Sequence, residues 1–294
     1  MKTKKRVSKT RRSTKEVQET KSIKDTINEI ITKRLRFKAL NEPQKEFSKL
    51  ILDNQITVGY GPAGTGKSYV SIFKALELIQ LKSNSYNKII IIKPVVESEE
   101  NLGFLPGNAK EKLEPYVASS LALVDKIIGK KKRVELEELG VIEIQALAFI
   151  RGLNIDNCVL VMEEAQNMSK GQMKTLLTRI GTDTKFIISG DLDQSDRYKD
   201  VKQSGLYDVK SKLIGIDDVG LFGFELKDIV RNPLISKILD RYKTTDVPKS
   251  FINTEKVLLT ENKKEVKPKI EPAKKETKKV SKNEPGFFAK YFKW

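Results

Sequence analysis

Apolar residues along this chain fall into two patterns. Short runs occur at Ile56-Thr-Val58, Lys88-Ile-Ile-Ile-Ile-Lys93, Val141-Ile-Glu-Ile-Gln145, Cys158-Val-Leu-Val-Met162, Lys185-Phe-Ile-Ile-Ser189 and Val219-Gly-Leu-Phe-Gly-Phe-Glu-Leu226. The most continuous of them, 88–93 and 158–162, suit strands buried on both faces, and hence a parallel sheet. Between the runs, apolar residues recur at helical spacing, as at Ile72, Ala75, Leu76 and Ile79. The same spacing predicts helix over 23–40 (Ile23, Ile27, Ile30, Ile31, Leu35) and helices within 109–139. Further helices are predicted from Leu40-Asn-Glu-Pro towards Leu52, and through Met173–Arg179 with Gly181 as the C-cap. One more opens at Asp228 and reaches Tyr242. Strands alternating with helices predict one α/β domain, a mainly parallel sheet with helices on both faces.

Composition narrows the class. No run of 18 uncharged apolar residues occurs, so no membrane span is expected. The basic N-terminus has no apolar segment of the kind a secretory signal carries. The chain is therefore expected to be soluble and cytoplasmic. There is no histidine and one cysteine, Cys158, which excludes His-based catalysis, His metal sites and an internal disulfide.

The net charge of +17 is unevenly placed: residues 1–24 carry +8, residues 253–294 carry +6, and the rest carries +3. This divides the chain into a basic, disordered arm (1–24), a folded domain (25–247) and a Lys/Glu/Pro-rich tail (248–294). Tails of this charge serve an anionic polymer such as RNA or single-stranded DNA, or are solvated disorder. Five of the last eight residues are aromatic. They suit a docking peptide for an unknown partner, a base-stacking peptide or a membrane-surface anchor.

The candidate chemistry starts at Gly61-Pro62-Ala63-Gly64-Thr65-Gly66-Lys67-Ser68, a match to G-x-x-x-x-G-K-[ST] between a strand and a helix. Backbone N–H groups of such a loop, with those opening the helix, converge on phosphate oxygens. Lys67 adds charge for the terminal phosphates, and the Ser68 hydroxyl suits Mg²⁺. Gln44, 17 residues before Gly61, has an amide able to read an adenine edge. The 158–162 run delivers Glu163-Glu164-Ala165-Gln166. One acid is expected to hold Mg²⁺ (Glu163), and the next to prepare the attacking water (Glu164). After 185–189, Asp191 or Gln194 is placed to sense a γ-phosphate or position water. Arg231 is either a salt-bridge residue or an arginine finger, and Arg179 and Arg151 are weaker candidates for that role.

These stretches, with Lys-Pro-Val-Val-Glu97, Leu102-Gly-Phe-Leu-Pro-Gly107, Phe149-Ile-Arg-Gly152, Leu177-Thr-Arg-Ile-Gly181, Ser189-Gly-Asp-Leu-Asp-Gln194 and Arg231-Asn-Pro-Leu234, resemble the PhoH-like family of P-loop ATPases of bacteria and their phages. The resemblance runs from about Gln44 to Leu234. The Glu-Glu-Ala-Gln and Gly-Asp-x-x-Gln elements also look like the ATPase half of superfamily one helicases. The resemblance implies a RecA-like core, ATP hydrolysis with Mg²⁺ and an RNA or DNA substrate. Glu163 stands where the family usually has Asp, and Lys93 where Arg is common. A helicase motor closes its ATP site between two such domains. With one domain here, a homo-oligomer is expected, a ring being one form, with an arginine supplied in trans. The alternative is a slow nucleotide-dependent switch that recruits a partner.

Overall fold

The computed structural model describes residues 22–94, 109–150 and 154–243. Arg151, both charged tails, the C-terminal aromatics, Val95–Glu97 and the 102–107 turn lie outside the described residues. Among the described residues there are six strands and eight α-helices. The strands are β1 (Ile56–Tyr60), β2 (Lys88–Ile92), β3 (Ile142–Ile144), β4 (Cys158–Met162), β5 (Thr184–Gly190) and β6 (Val219–Gly223). The helices are α1 (Ile23–Ile30), α2 (Glu42–Asp53), α3 (Lys67–Gln80), α4 (Ala109–Ile128), α5 (Lys130–Glu138), α6 (Lys170–Leu177), α7 (Gly205–Lys212) and α8 (Pro233–Lys243).

Every strand pair is parallel, in the order β3-β2-β4-β5-β1-β6. The two-residue strand period sends alternate side chains to opposite faces. Ile89, Ile91, Val159 and Val161 enter one core with Ile27, Phe47, Leu76 and Ile79 of α1–α3. Ile90, Ile92, Leu160 and Met162 enter the other with Met173 and Leu176 of α6 and Leu206 of α7. β4 and β5 are buried along their whole length; β4 is apolar throughout, while in β5 the buried Thr184, Lys185 and Ser189 each find a backbone carbonyl to donate to. The apolar runs reflect this burial.

Three expectations change. Helix does not cover 23–40: α1 ends at Ile30 and the chain runs on as an irregular extended strap. The buried Gln80 amide captures the strap backbone, accepting from Leu35 N–H (2.9 Å) and donating to the carbonyls of Ile31 (3.0 Å) and Lys33 (3.1 Å). Those bonds replace the helical ladder. Gly181 is not a C-cap, since α6 ends at Leu177. Its N–H donates to the Ile155 carbonyl, and a side chain there would strike Ile155 O and the Asp156 carboxylate. Asp228 closes a short 3-10 turn, Leu226–Asp228, and α8 begins five residues later, at Pro233.

Candidate nucleotide site

β5 lies between β1 and β4. The loops leaving these strands therefore sit side by side at the carboxyl edge, where open α/β sheets bind ligands. The register aligns Tyr60 with Gly190, and Gly61 N–H donates to the Gly190 carbonyl (3.2 Å). A cavity of about 600 Å³ opens there. It is lined by Ala63, Gly64, Gly66, Lys67 and Ser68 of the loop, Glu164 after β4, Asp191 and Gln194 after β5, and Gln44 and Arg231.

The loop is shaped by its glycines. Gly61, Gly64 and Gly66 have φ of +130°, +86° and +92°, in the region that side chains avoid. Gly66 is the N-cap of α3 and offers no side-chain acceptor, so the first N–H groups of α3 stay open to a ligand. A Cβ on Gly66 would also lie 2.5 Å from Gln44 Nε2.

Lys67 Nζ donates to the carbonyls of Gly61 (2.7 Å) and Pro62 (2.8 Å) of its own loop. Burial lowers its pKa to about 8, against the opposing pull of the Asp191 and Glu164 charges. The ammonium thus waits on the loop, in a setting that disfavours its charge until an anion arrives.

Gln44 is 1% exposed and clasps the loop: Nε2 donates to the Thr65 carbonyl (2.9 Å) and Oε1 accepts from Leu40 N–H (3.0 Å). One amide hydrogen and one lone pair remain for a ligand. The sequence suggested base reading at this residue; the fold adds a structural link.

The two acids separate by environment. Glu163 is 3% exposed; its Oε2 accepts from Ser120 Oγ, while its buried Oε1 has no hydrogen-bond partner. A bare buried carboxylate oxygen is costly unless a cation meets it. Glu163 Oε1 and the Ser68 hydroxyl are both hard oxygen donors of the kind Mg²⁺ takes. Glu163 does not itself line the cavity, and the described residues hold no cluster of three acids, Cys or His. Glu164 does line it, with its side chain 44% exposed. Its backbone is left-handed, φ +53° and ψ +38°, at a cost of about 1–3 kcal/mol for a residue with a side chain. That turn swings consecutive acids apart.

Gln166, 1% exposed, joins the parts, and sequence reasoning did not select it. Its Nε2 donates to Glu164 Oε2 (2.6 Å) and to the Gln194 carbonyl (3.2 Å), and its Oε1 accepts from Asp191 N–H (3.0 Å). Asp191 Oδ2 in turn accepts from Ala63 N–H (3.1 Å). Burial raises the Asp191 carboxyl, opposed by the Asp193 N–H bond and the Lys67 charge. The signal available was that Gln166 and Gln194 each lie four residues past a strand end, Met162 and Gly190, with Glu164 and Asp191 between. The exposed Gln194 side chain makes no hydrogen bond among the described residues and faces the cavity.

Arg231 is exposed on the cavity wall beside Gly64, whose carbonyl accepts from Val230 N–H (3.0 Å). It makes no ion pair with a described carboxylate. Arg179 is not brought to the cavity. Its carbonyl accepts from Ile155 N–H near the start of β4 and β5, at the opposite edge of the sheet.

A glycine-rich loop between strand and helix, with an acid two strands away and the Asp191–Gln194 loop between, defines a P-loop nucleotide-binding core. Residues 36–243 match the PhoH-like protein family, and the chain belongs to it. It is 41% identical over 210 residues to a PhoH-like protein of Bacillus subtilis, covering 71% of this chain and 64% of the relative. It is 38% identical over 221 residues to a PhoH-like protein of Mycobacterium tuberculosis, covering 75% and 61%. It is 35% identical over 206 residues to Protein PhoH of Escherichia coli, covering 69% and 57%. The matched region thus spans about three-fifths of these relatives. Among the described residues no helix is long and apolar enough to cross a membrane.

Proposed function

We propose that this chain hydrolyses ATP with Mg²⁺, coupled to RNA or single-stranded DNA, as a homo-oligomer. The observation that carries the reading is the single cavity joining the phosphate loop to Glu164 through Gln166 and Asp191. The loop N–H groups and Lys67 bind phosphates, and Gln44 with its spare donor and acceptor holds the base. Bound Mg²⁺, held by Ser68 and Glu163, would offset phosphate charge. Glu164 takes a proton from the attacking water. Gln194 contacts the γ-phosphate and passes its presence through Asp191 and Gln166 to Glu164. Arg231, already on its own chain's cavity, serves transition-state charge in cis. Arg179 lies where it could serve only a neighbouring copy's site.

A second reading, a slow nucleotide switch that recruits a partner through the terminal aromatics, is favoured by Lys67 being satisfied by its own loop and by the longer Glu163 side chain. The deciding experiment is steady-state ATP hydrolysis with Mg²⁺ at stated salt, with and without single-stranded RNA or DNA, beside Lys67→Ala and Glu164→Gln. We expect turnover stimulated by one polymer, abolished in Lys67→Ala. In Glu164→Gln it should fall about 10²–10⁴-fold with ATP binding kept. Near-normal turnover in Glu164→Gln would remove that residue from its role. Tight binding with negligible, unstimulated turnover in the unaltered chain would make the switch reading the better one.

A further inference from the structure

The strap alternates from Arg34 to Leu40: Arg34, Arg36 and Lys38 are exposed, while Leu35 is buried and Phe37 half-buried; the preceding Lys33 is exposed as well. This puts three cations on one outward side, two residues apart, which is at most about 6.6 Å at roughly 3.3 Å per fully extended residue. None of the three is paired with a described carboxylate. The strap runs along α3 from its last residue, Gln80, towards its first. Phe37 packs on Tyr69 (6.4 Å between ring centroids) and Phe73 (5.5 Å). Lys38 and Lys126 reach the nucleotide cavity, with Lys126 5.8 Å from the Tyr69 ring.

We infer that this strap is a binding ladder for the phosphates of a single-stranded nucleic acid. The inference rests on the nucleic-acid-coupled reading above and gives it a surface. Three unpaired cations in line at even spacing match a flexible polyanion whose charges repeat along an extended strand. Phe37, turned inward onto Tyr69 and Phe73, fixes the strap against α3 and holds the cations outward. The strap is also wired to the phosphate loop. Two residues beyond Lys38, Leu40 N–H is held by Gln44, whose other end holds the Thr65 carbonyl. A strand pulling the strap therefore acts on the loop through one side chain. Gln80 anchors the other end of the strap, so displacement is directed towards the loop rather than lost in slack.

The test uses the full chain and a fluorescent 15-nucleotide RNA and its DNA counterpart, read by anisotropy over a salt series. Arg34→Ala with Arg36→Ala removes two cations and touches nothing in the nucleotide cavity. Each phosphate contact contributes about 0.7 to the slope of log K against log salt for a single strand, so the slope should fall by about 1.4 and affinity at 0.1 M salt by about tenfold or more. Basal ATP hydrolysis should stay unchanged while stimulation by polymer is lost. Lys174→Ala with Lys202→Ala, two exposed lysines elsewhere, is the matched control. Equal slope losses in both double variants would overturn the ladder, leaving only general charge. So would an unchanged slope in the strap variant while the unaltered chain binds. Displacement of the oligonucleotide by polyglutamate as readily as by unlabelled oligonucleotide would reassign the strap to acidic protein. If the unaltered chain binds neither oligonucleotide, the nucleic-acid coupling itself falls. Hydrolysis by the chain would stand apart from it.

Discussion

Proton uptake on nucleotide binding follows from the position of Lys67. Its ammonium is buried on its own loop with a pKa of about 8 against an ordinary 10.5. At 1.36 kcal/mol per unit, the free site disfavours the charged form by about 3 kcal/mol. Phosphates entering the loop supply the missing negative charge and restore full protonation. Binding then takes up whatever fraction of a proton was absent: about 0.1 at pH 7, about 0.5 at pH 8 and about 0.9 at pH 9. Affinity should accordingly weaken, approaching tenfold per pH unit above about pH 9, until the bound-state pKa is reached. Isothermal calorimetry with Mg²⁺ and a non-hydrolysable ATP analogue, in two buffers of different ionisation enthalpy, measures the uptake directly. Lys67→Arg is the reference, because guanidinium stays charged throughout and should show none. Uptake below about 0.3 at pH 9, or equal uptake in Lys67→Arg, would refute the reasoning. In the nucleotide-free fold the sign reverses. The folded pKa lies below the unfolded one, so the unfolded chain holds more protons between about pH 8 and 10.5. The Lys67 penalty on stability is therefore complete below about pH 8 and fades as pH rises through that window.

Two further outcomes test the framework. A Cβ on Gly190 would lie 2.6 Å from Gln166 Oε1 and 2.7 Å from Leu206 Cδ2. Gly190→Ala should cost about 1–3 kcal/mol in denaturant unfolding, and kcat should fall more than KM changes because Gln166 no longer places Glu164. Lys185 Nζ donates to the carbonyls of Ile51 (2.5 Å), Leu52 (3.1 Å) and Asn54 at the end of α2. Lys185→Met should destabilise the fold by about 2–4 kcal/mol, read by thermal melting, and leave ATP affinity unchanged, since Lys185 sits at the opposite end of β5 from the cavity.

The sequence alone determined the phosphate loop, because eight adjacent residues carry both its glycine conformations and its lysine. It determined the strands of the sheet as well, because a strand buried on both faces is mostly apolar, as at 89–92 and 158–162. It placed Glu163 and Glu164 at a strand end. Tertiary structure decided what depends on neighbours distant in the chain. Only the strand order, with β5 between β1 and β4, brings Asp191 onto Ala63 N–H, 128 residues away, and makes Gln166 the joint between Glu164 and Gln194. Apolar spacing alone suggested helix beyond Ile30. A buried amide 45 residues on, Gln80, offered Leu35 a hydrogen bond that local periodicity does not register. The roles of Gly181 and Gly190 were hidden for the same reason. Each is set by the atom a Cβ would strike, and that atom comes from elsewhere in the fold.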